Sequence, residues 1–408
     1  MKILVTGGKT MNVPHAGFRK YIAIVGRRNV GKSSLINAIA NQDVAIVSDV
    51  PGTTTDPVYK TLEIHPLGPV TLIDTPGLDD EGFLGEKRVE RAKRSLYRAD
   101  AAILVVDDVP SEHERFAVEM FRQLEIPFLI AVNKVDLGKR VKDAYIDFKV
   151  PIVEVSAKTR QNIDSLLHAL ASVVPDEESR PMLAHLIGQY RTVVLVVPID
   201  TAAPKGRLIM PQVEAIRETI DHAATAVVTR DTELARALEK LDFKVDLVVT
   251  DSQAIMRVEK IVPRDIPLTT FSILESVSKG DVDQFLSGIG ALKNLKDNDT
   301  VAIVEACSHV PTCDDIGRVK IPRWISEKLK VQLNYRFFAG KEFPELEQLS
   351  SCKLMIHCGG CVLNRAAFMR RMRMASRLNI PVVNYGMLIS YLHGVLDRVL
   401  EPILRKRG

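Results

Sequence analysis

Near its carboxyl end the chain sets Cys307-Ser308-His309 against His357-Cys358-Gly359-Gly360-Cys361, with 47 residues between the two histidines. Thiolates and imidazoles are ligands that soft and borderline metals select, and a C-x-x-C pair spaced by two glycines can turn tightly enough to chelate. Near its amino end, Gly26-Arg27-Arg28-Asn29-Val30-Gly31-Lys32-Ser33 matches the pattern G-x-x-x-x-G-K-[ST]. Glycines there let backbone N–H groups wrap a polyphosphate, with Val30 and Ser34 completing the loop. Lys32 neutralises charge on the β- and γ-phosphates, and the Ser33 hydroxyl can hold Mg²⁺. Phosphate chemistry at one end and metal–sulfur chemistry at the other are both written into the chain.

Three further motifs follow the phosphate loop in order. Asp74-Thr75-Pro76-Gly77 places a carboxylate to act through the Mg²⁺ shell and a glycine amide to reach a γ-phosphate. Asn133-Lys134-Val135-Asp136 offers a carboxylate at Asp136 that accepts two N–H bonds from guanine, a pair of donors that adenine lacks. A site of that kind rejects the wrong base by roughly 10⁴-fold. Ser156-Ala157-Lys158 completes the base pocket. Between the first two motifs, Gly52-Thr53-Thr54-Thr55-Asp56 is a polar loop whose threonine hydroxyl can close on Mg²⁺, with Thr54 the first choice and Thr53 the second. A single phosphate-loop match could be a plain glycine turn before a helix. Four ordered motifs at strand ends predict a GTPase that binds GTP and GDP with Mg²⁺, using Lys32, Thr54, Asp74 and Gly77.

The metal end is less determined. All five cysteines (Cys307, Cys313, Cys352, Cys358, Cys361) fall in the last quarter, and their number is odd. That argues against a disulfide framework and for a local metal site. Alternate strand residues share a face, so Glu305, Cys307 and His309 project together if Val301–Ala306 stays extended beyond its end. Three thiolates suit an iron–sulfur cluster with one position left to another ligand. Zinc, completed by His309 or His357, suits the spacing equally well. Cys313 and Cys352 lie outside the motif and read as small apolar residues.

These residues need strands to carry them. Tyr21–Val25, Val70–Ile73, Ala101–Val106, Phe128–Val132 and Ile152–Val155 alternate with helical patterns, the signature of a mostly parallel sheet with crossover helices. Pro175 to Pro181 breaks the pattern as a linker. A second α/β stretch has strands at Thr192–Val197 and Leu247–Val249 and a helix at Pro211–Ile220 with Val213, Ile216 and Ile220 on one face. A third has strands at Val301–Ala306, Val331–Phe338, Leu354–Ile356 and Pro381–Asn384, and helices at Leu363–Leu378 and Met387–Leu404. No sequence repeat is visible. The expected organisation is an extension over 1–20, a GTPase domain over 21–174, a linker over 175–183, a central domain over 184–271 and a metal-binding domain over 272–408.

Composition sets outer bounds. At 46% hydrophobic and 26% charged residues the chain can bury ordinary cores. A formal charge of +4 does not by itself call for a nucleic-acid partner. No apolar run approaches the ~18 residues that cross a bilayer. The first residues resemble no secretory signal, so the expected location is the cytoplasm, away from membranes.

Asn29 inside the phosphate loop, the Gly-Thr-Thr segment, and Leu78 after Asp-Thr-Pro-Gly resemble the TrmE–Era–EngA–Septin class of GTPases. Leu78 cannot orient the attacking water as a glutamine does in many GTPases. The resemblance implies that K⁺, held partly by Asn29, supplies transition-state charge when two G domains pair; the alternative is that Asn29 only bonds within the loop.

Cys-x-His followed by His-Cys-x-x-Cys, behind such a GTPase, resembles the [FeFe]-hydrogenase maturation GTPase (HydF) family along the whole chain. That resemblance implies a [4Fe-4S] cluster on Cys307, Cys358 and Cys361, with His309, His357 or Glu305 as fourth or exchangeable ligand or as orienting groups. It also implies a homodimer built on the central unit, a diiron carbonyl–cyanide precursor as cargo, apo-[FeFe]-hydrogenase as recipient and two radical-SAM maturases as partners. Two other readings fit parts of the sequence: an RNA-associated GTPase of tRNA modification or ribosome assembly, and a zinc-stabilised, GTP-dependent interaction protein. No convincing RNA-binding module is visible. Five arginines between Arg365 and Arg377 form either a solvated helix face or a surface that attracts an anionic cargo or an acidic partner.

Overall fold

A computed structural model describes residues 19–40, 46–49, 58–65, 67–75, 96–138, 141–175, 180–189, 191–198, 208–306, 315–340, 343–344 and 346–405. The chain divides into two compact units, Met1–Glu177 and Glu178–Gly408. Thr53, Thr54, Gly77, Cys307, His309 and Cys313 lie outside the described residues.

In the first unit, β1 (Lys20–Val25), β2 (Ile46–Asp49), β3 (Val58–Ile64), β4 (Gly68–Asp74), β5 (Ala101–Val106), β6 (Phe128–Val132) and β7 (Ile152–Glu154) form one sheet in the order β2-β3-β4-β1-β5-β6-β7. β2, β3 and β4 pair antiparallel, and from β4 to β7 every pair is parallel. Alternation does the layering. Ile22 and Ile24 join one apolar cluster with α1 (Lys32–Ala40) and α3 (Ile163–Val173). Ala23 and Val25 join another with α2 (Glu112–Gln123). Strands buried on both faces read as continuous apolar runs, which is how β5 and β6 appear.

The second unit holds two all-parallel sheets among the described residues. β8 (Thr192–Val196), β9 (Thr225–Thr229), β10 (Leu247–Thr250) and β11 (Leu268–Thr270) take the order β11-β10-β8-β9. β12 (Thr300–Glu305), β13 (Asn334–Ala339), β14 (Leu354–His357) and β15 (Val382–Asn384) take the order β13-β12-β14-β15. Numbered within each sheet, both orders are 2-1-3-4. The chain reverses its direction of progress between the first and third strands, and the crevice at such a switch point is where open parallel sheets bind ligands.

The helices around these sheets include α4 (Met210–Asp221), α5 (Leu234–Lys240), α6 (Ile255–Ile261), α7 (Phe271–Lys279), α8 (Val282–Leu292), α9 (Ile321–Leu329) and α10 (Arg365–Arg377). Two more follow β15, α11 (Tyr385–Leu392) and α12 (Leu396–Leu404). α7 follows β11 directly, capped by Thr270, whose hydroxyl accepts the Ile273 N–H at 3.2 Å. Buried Arg398 on α12 donates to the carbonyls of Glu259, Val262 and Pro263, fastening the last helix to the end of α6.

Three expectations need correction. The helix expected over Met387–Leu404 is two, because His393 closes α11 and Gly394 turns at φ +77. The strand expected from Val331 begins at Asn334. On α4 the side against the core carries Gln212, Ala215 and Thr219, while Val213 and Ile220 are 37% and 59% exposed. Of the three residues expected on one face, Ile216 packs half-buried against the core.

α8 lies so close to β15 that a Cβ on Gly288 would stand 2.1 Å from the Val382 carbonyl oxygen, whereas one on Gly290 meets nothing within 4 Å. Gly288→Ala should therefore lower stability by about 1–3 kcal/mol through overpacking. Gly290→Ala on the same helix should raise it by roughly 0.5–1 kcal/mol through propensity. Urea unfolding midpoints test the pair, and equal midpoints would contradict the packing.

Candidate functional site

The nucleotide motifs sit at the carboxyl ends of parallel strands. A Cβ on Gly26 would fall 2.3 Å from the Val105 carbonyl oxygen, and one on Gly31, at φ +96, 2.4 Å from Asn133 Nδ2, so both glycines are required. Asn29 adopts φ +60, a conformation asparagine tolerates. Lys32 Nζ donates to the carbonyls of Gly26 at 2.9 Å and Arg27 at 2.7 Å. Ser33, exposed beside Ser34 at the start of α1, donates from Oγ to Asp74 Oδ2 at 2.7 Å. The two groups read as Mg²⁺-shell ligands thus meet. Burial pushes the Asp74 carboxyl above its ordinary range, against the opposing pull of the Ser33 bond and the Lys32 charge.

Asn133 joins this loop to the base pocket. Its Nδ2 donates to the Val30 carbonyl at 2.8 Å and its Oδ1 accepts the Ala157 N–H at 3.0 Å. Ser156 Oγ donates to Asp136 Oδ1 at 2.6 Å, holding the carboxylate that would read guanine. Lys134 Nζ donates to the Asn29 carbonyl at 2.6 Å and to Asp107 at 2.7 Å, while Lys158 is exposed at the rim. Arg27 leans on buried Glu114 of α2 at 2.7 Å. Asp107 and Glu114 were not singled out in the sequence, because nothing in a lone acid at a strand end or helix start marks its partner.

The second candidate site lies between β12 and β14. Their parallel register pairs Val304 with His357, the Cys358 N–H donates to the Val304 carbonyl at 2.9 Å, and the Ala306 N–H donates to Cys358 Sγ at 3.1 Å. Cys307 is the next residue in the chain. Gly360 turns at φ +69 with a would-be Cβ 2.7 Å from the Phe368 ring, and its carbonyl accepts the Leu363 N–H at 2.8 Å. Cys358 and Cys361 are both half-buried on this loop, and Asn364 caps α10 just beyond it by accepting the Ala367 N–H. That helix start favours negative charge nearby.

His357 is fully buried, its Nδ1 within 2.6 Å of the Cys358 carbonyl and its Nε2 within 3.2 Å of Arg371 NH1. Burial first, and the Arg371 charge second, push its pKa down to about 3. The neutral ring therefore carries its proton on Nδ1 and turns its Nε2 lone pair to the guanidinium. Glu305, 6% exposed, accepts from the Tyr385 hydroxyl at 3.1 Å. Gly317 lies so near that a Cβ would meet both groups. Among the described residues no three His, Cys, Asp or Glu side chains gather at metal-ligating distance, and Cys307 and His309 fall outside that set. Cys352 is buried, and burial pushes its thiol pKa up.

α10 is not the uniformly basic face that its five arginines suggest. Arg373 and Arg377 are exposed, but Arg370 and Arg371 are each 4% exposed, on the inner side with Ala367, Phe368 and Ala375. Arg371 NH2 donates to the Gly340 carbonyl at 3.2 Å, so it links the ends of β13 and β14. The spacing Ala367-Arg371-Ala375 was the available signal, since residues four apart share a face.

The first unit is a P-loop GTPase domain. Residues 21–134 match the family described as 50S ribosome-binding GTPase, residues 182–280 the hydrogen maturase F dimerization domain, and residues 283–402 the hydrogen maturase F tetramerization domain. The GTPase Der of a Nitratiruptor species is 29% identical over 264 residues, 54% of this chain and 57% of that protein. The tRNA modification GTPase MnmE of Chromobacterium violaceum is 38% identical over 160 residues, 38% of this chain and 34% of that protein. The GTPase Era of a Thermoanaerobacter species is 34% identical over 166 residues, 38% of this chain and 55% of that protein. The chain thus spans between a third and somewhat over half the length of these curated relatives. A solved G domain of the T. maritima FeoB iron transporter is 23% identical, covering 38% of this chain and 99% of that one, with a TM-score of 0.32. The two hydrogen maturase matches together take up more than half of the sequence, and the chain belongs to the hydrogen maturase F (HydF) family of hydrogenase maturation GTPases. Its second unit carries oligomerisation domains, and no described helix is long and apolar enough to cross a membrane.

One carboxyl near the second site titrates unusually. Glu214 on α4 is raised to about 7, chiefly by burial and then by the charge of Glu275, with Lys279 opposing. A carboxyl raised in the folded state contributes stability that is fully present below its unfolded value near 4.5 and is lost as pH climbs to about 7. Glu214→Gln should therefore raise the thermal midpoint at pH 8 and leave it nearly unchanged at about pH 4.5. An equal gain at both pH values would contradict this.

Proposed function

We propose that this chain is a GTP-hydrolysing scaffold that holds a [4Fe-4S] cluster on Cys307, Cys358 and Cys361 and carries a diiron carbonyl–cyanide precursor to apo-[FeFe]-hydrogenase. The observation that carries the reading is the crevice between β12 and β14. There Cys358 Sγ accepts a backbone N–H from the residue just before Cys307, and Cys361 follows on a turn that only glycine fits. A sulfur accepting an amide N–H beside a helix start, with buried Arg371 and Lys279 close by, is suited to thiolate ligands and an anionic cluster. The cluster would supply iron with one position not taken by cysteine. His357, engaged at both ring nitrogens, acts as an orienting group, which leaves Glu305 and His309 as the candidates for that position.

In the first unit Lys32, Ser33 and Asp74 hold the phosphates and Mg²⁺, joined by Thr54 and Gly77, while Asn133, Asp136, Ser156 and Ala157 select guanine. Catalysis of this kind is positioning and charge stabilisation. K⁺ at Asn29 would add charge when two G domains pair. The central domain, residues 184–271, forms the homodimer, and exposed Val213 and Ile220 are suited to such a surface. Residues 272–408 form the cluster domain, and two radical-SAM maturases act before the recipient enzyme.

Two measurements test this. Under anaerobic loading with iron and sulfide the wild type should turn brown, and Cys307→Ala, Cys358→Ala and Cys361→Ala should each lose the colour while retaining GTP binding. Stoichiometric zinc without colour would sink the reading. GTP turnover should rise at least about tenfold when Na⁺ is replaced by K⁺, worth roughly 1.4 kcal/mol of barrier. Equal turnover in the two buffers would remove the ion.

A further inference from the structure

Phe271, Glu275 and Lys279 recur every four residues on α7, and all three are buried. The first position is ordinary core; the other two bring an ammonium and a carboxylate out of water. A buried ion pair is no better for stability than well-packed apolar residues of the same size, so its presence asks what it touches. Glu275 Oε1 accepts from Lys279 Nζ, and Lys279 Nζ also donates to the Gly360 carbonyl at 3.2 Å. Gly360 is the second glycine between Cys358 and Cys361. The first glycine faces the carboxylate, since a Cβ on Gly359 would stand 3.7 Å from Glu275 Cγ. Arg365 Nε donates to the Ser278 carbonyl at 3.3 Å, so the end of α7 is tied to α10 as well. From α4, Glu214 faces the pair.

We propose that Lys279 is a positioning residue of the C-x-x-C loop: its ammonium, held by Glu275, fixes the Gly360 carbonyl and supplies positive charge beside the two cysteines. This rests on the iron–sulfur reading above. A positive charge near a cluster favours its reduced, more negative form, and a negative charge disfavours it. Replacing one member of the pair at a time must then move the reduction potential in opposite directions. A merely structural role would move both the same way.

The test uses the full chain as wild type, Lys279→Met, Lys279→Arg and Glu275→Gln, each loaded anaerobically with iron and sulfide. The midpoint potential is read by a redox titration followed by electron paramagnetic resonance. Lys279→Met should shift it to more negative values, Glu275→Gln to more positive values, and Lys279→Arg should restore it. In cluster-free protein, amide hydrogen exchange of residues 358–363 should quicken about tenfold in Lys279→Met and return in Lys279→Arg, from loss of one charge-assisted bond. Shifts of the same sign, or unchanged exchange, would overturn the proposal. If the wild type takes up no iron while exchange still quickens in Lys279→Met, the iron–sulfur reading fails and the positioning role stands.

Discussion

One register governs the second unit. Because β12 and β14 are parallel neighbours with Val304 opposite His357, the chain leaving β12 meets the loop leaving β14. The Ala306 N–H on Cys358 Sγ is the first contact of that meeting. A slip of one residue would turn every side chain of either strand to the opposite face, and would take buried His357 away from Arg371. Ala306, the residue before Cys307, and the Cys358 loop are remote in sequence and thereby become neighbours. Around this meeting the molecule concentrates its buried charge: Arg371 braces His357 and Gly340, and Lys279 braces Gly360.

The GTPase domain solves its own problem in the same manner. The ends of β1, β5, β6 and β7 present backbone and short polar groups, and one amide, Asn133, ties the phosphate loop to the Ser156-Ala157 segment. Lys134 and Asp107 add a second tie between the loop and the strand ends. Both sites use a rigid parallel sheet to hold loops whose residues would otherwise have no fixed geometry. The first unit is a GTPase domain, and the second carries oligomerisation domains.

What could be read in the amino-acid order follows from how narrowly each feature constrains residue type. Close approach of neighbouring atoms admits only glycine at Gly26 and Gly31, and the proposed guanine readout calls for a carboxylate at Asp136, so these motifs stand out. The shared 2-1-3-4 order of the two C-terminal sheets leaves no such mark, because it depends on which strands pair, and many sequences support the same pairing. Buried charge was misread for a related reason. Arg371 looks like a surface residue until its four-residue spacing with Ala367 and Ala375 is weighed. The α4 helix misled in reverse, since two of its three apolar stripe residues, Val213 and Ile220, are exposed. The break at Gly394 needs only one left-handed residue, too slight a signal against a long apolar run.

In the proposed reading, sulfur from three cysteines surrounds iron at the β12–β14 crevice. X-ray absorption at the iron edge on anaerobically isolated full-length protein measures this most directly. The expected spectrum has a first shell dominated by sulfur near 2.3 Å (about the usual metal–thiolate length) with an iron–iron vector, both absent from Cys358→Ala. A first shell of oxygen and nitrogen alone, or zinc in place of iron, would contradict it.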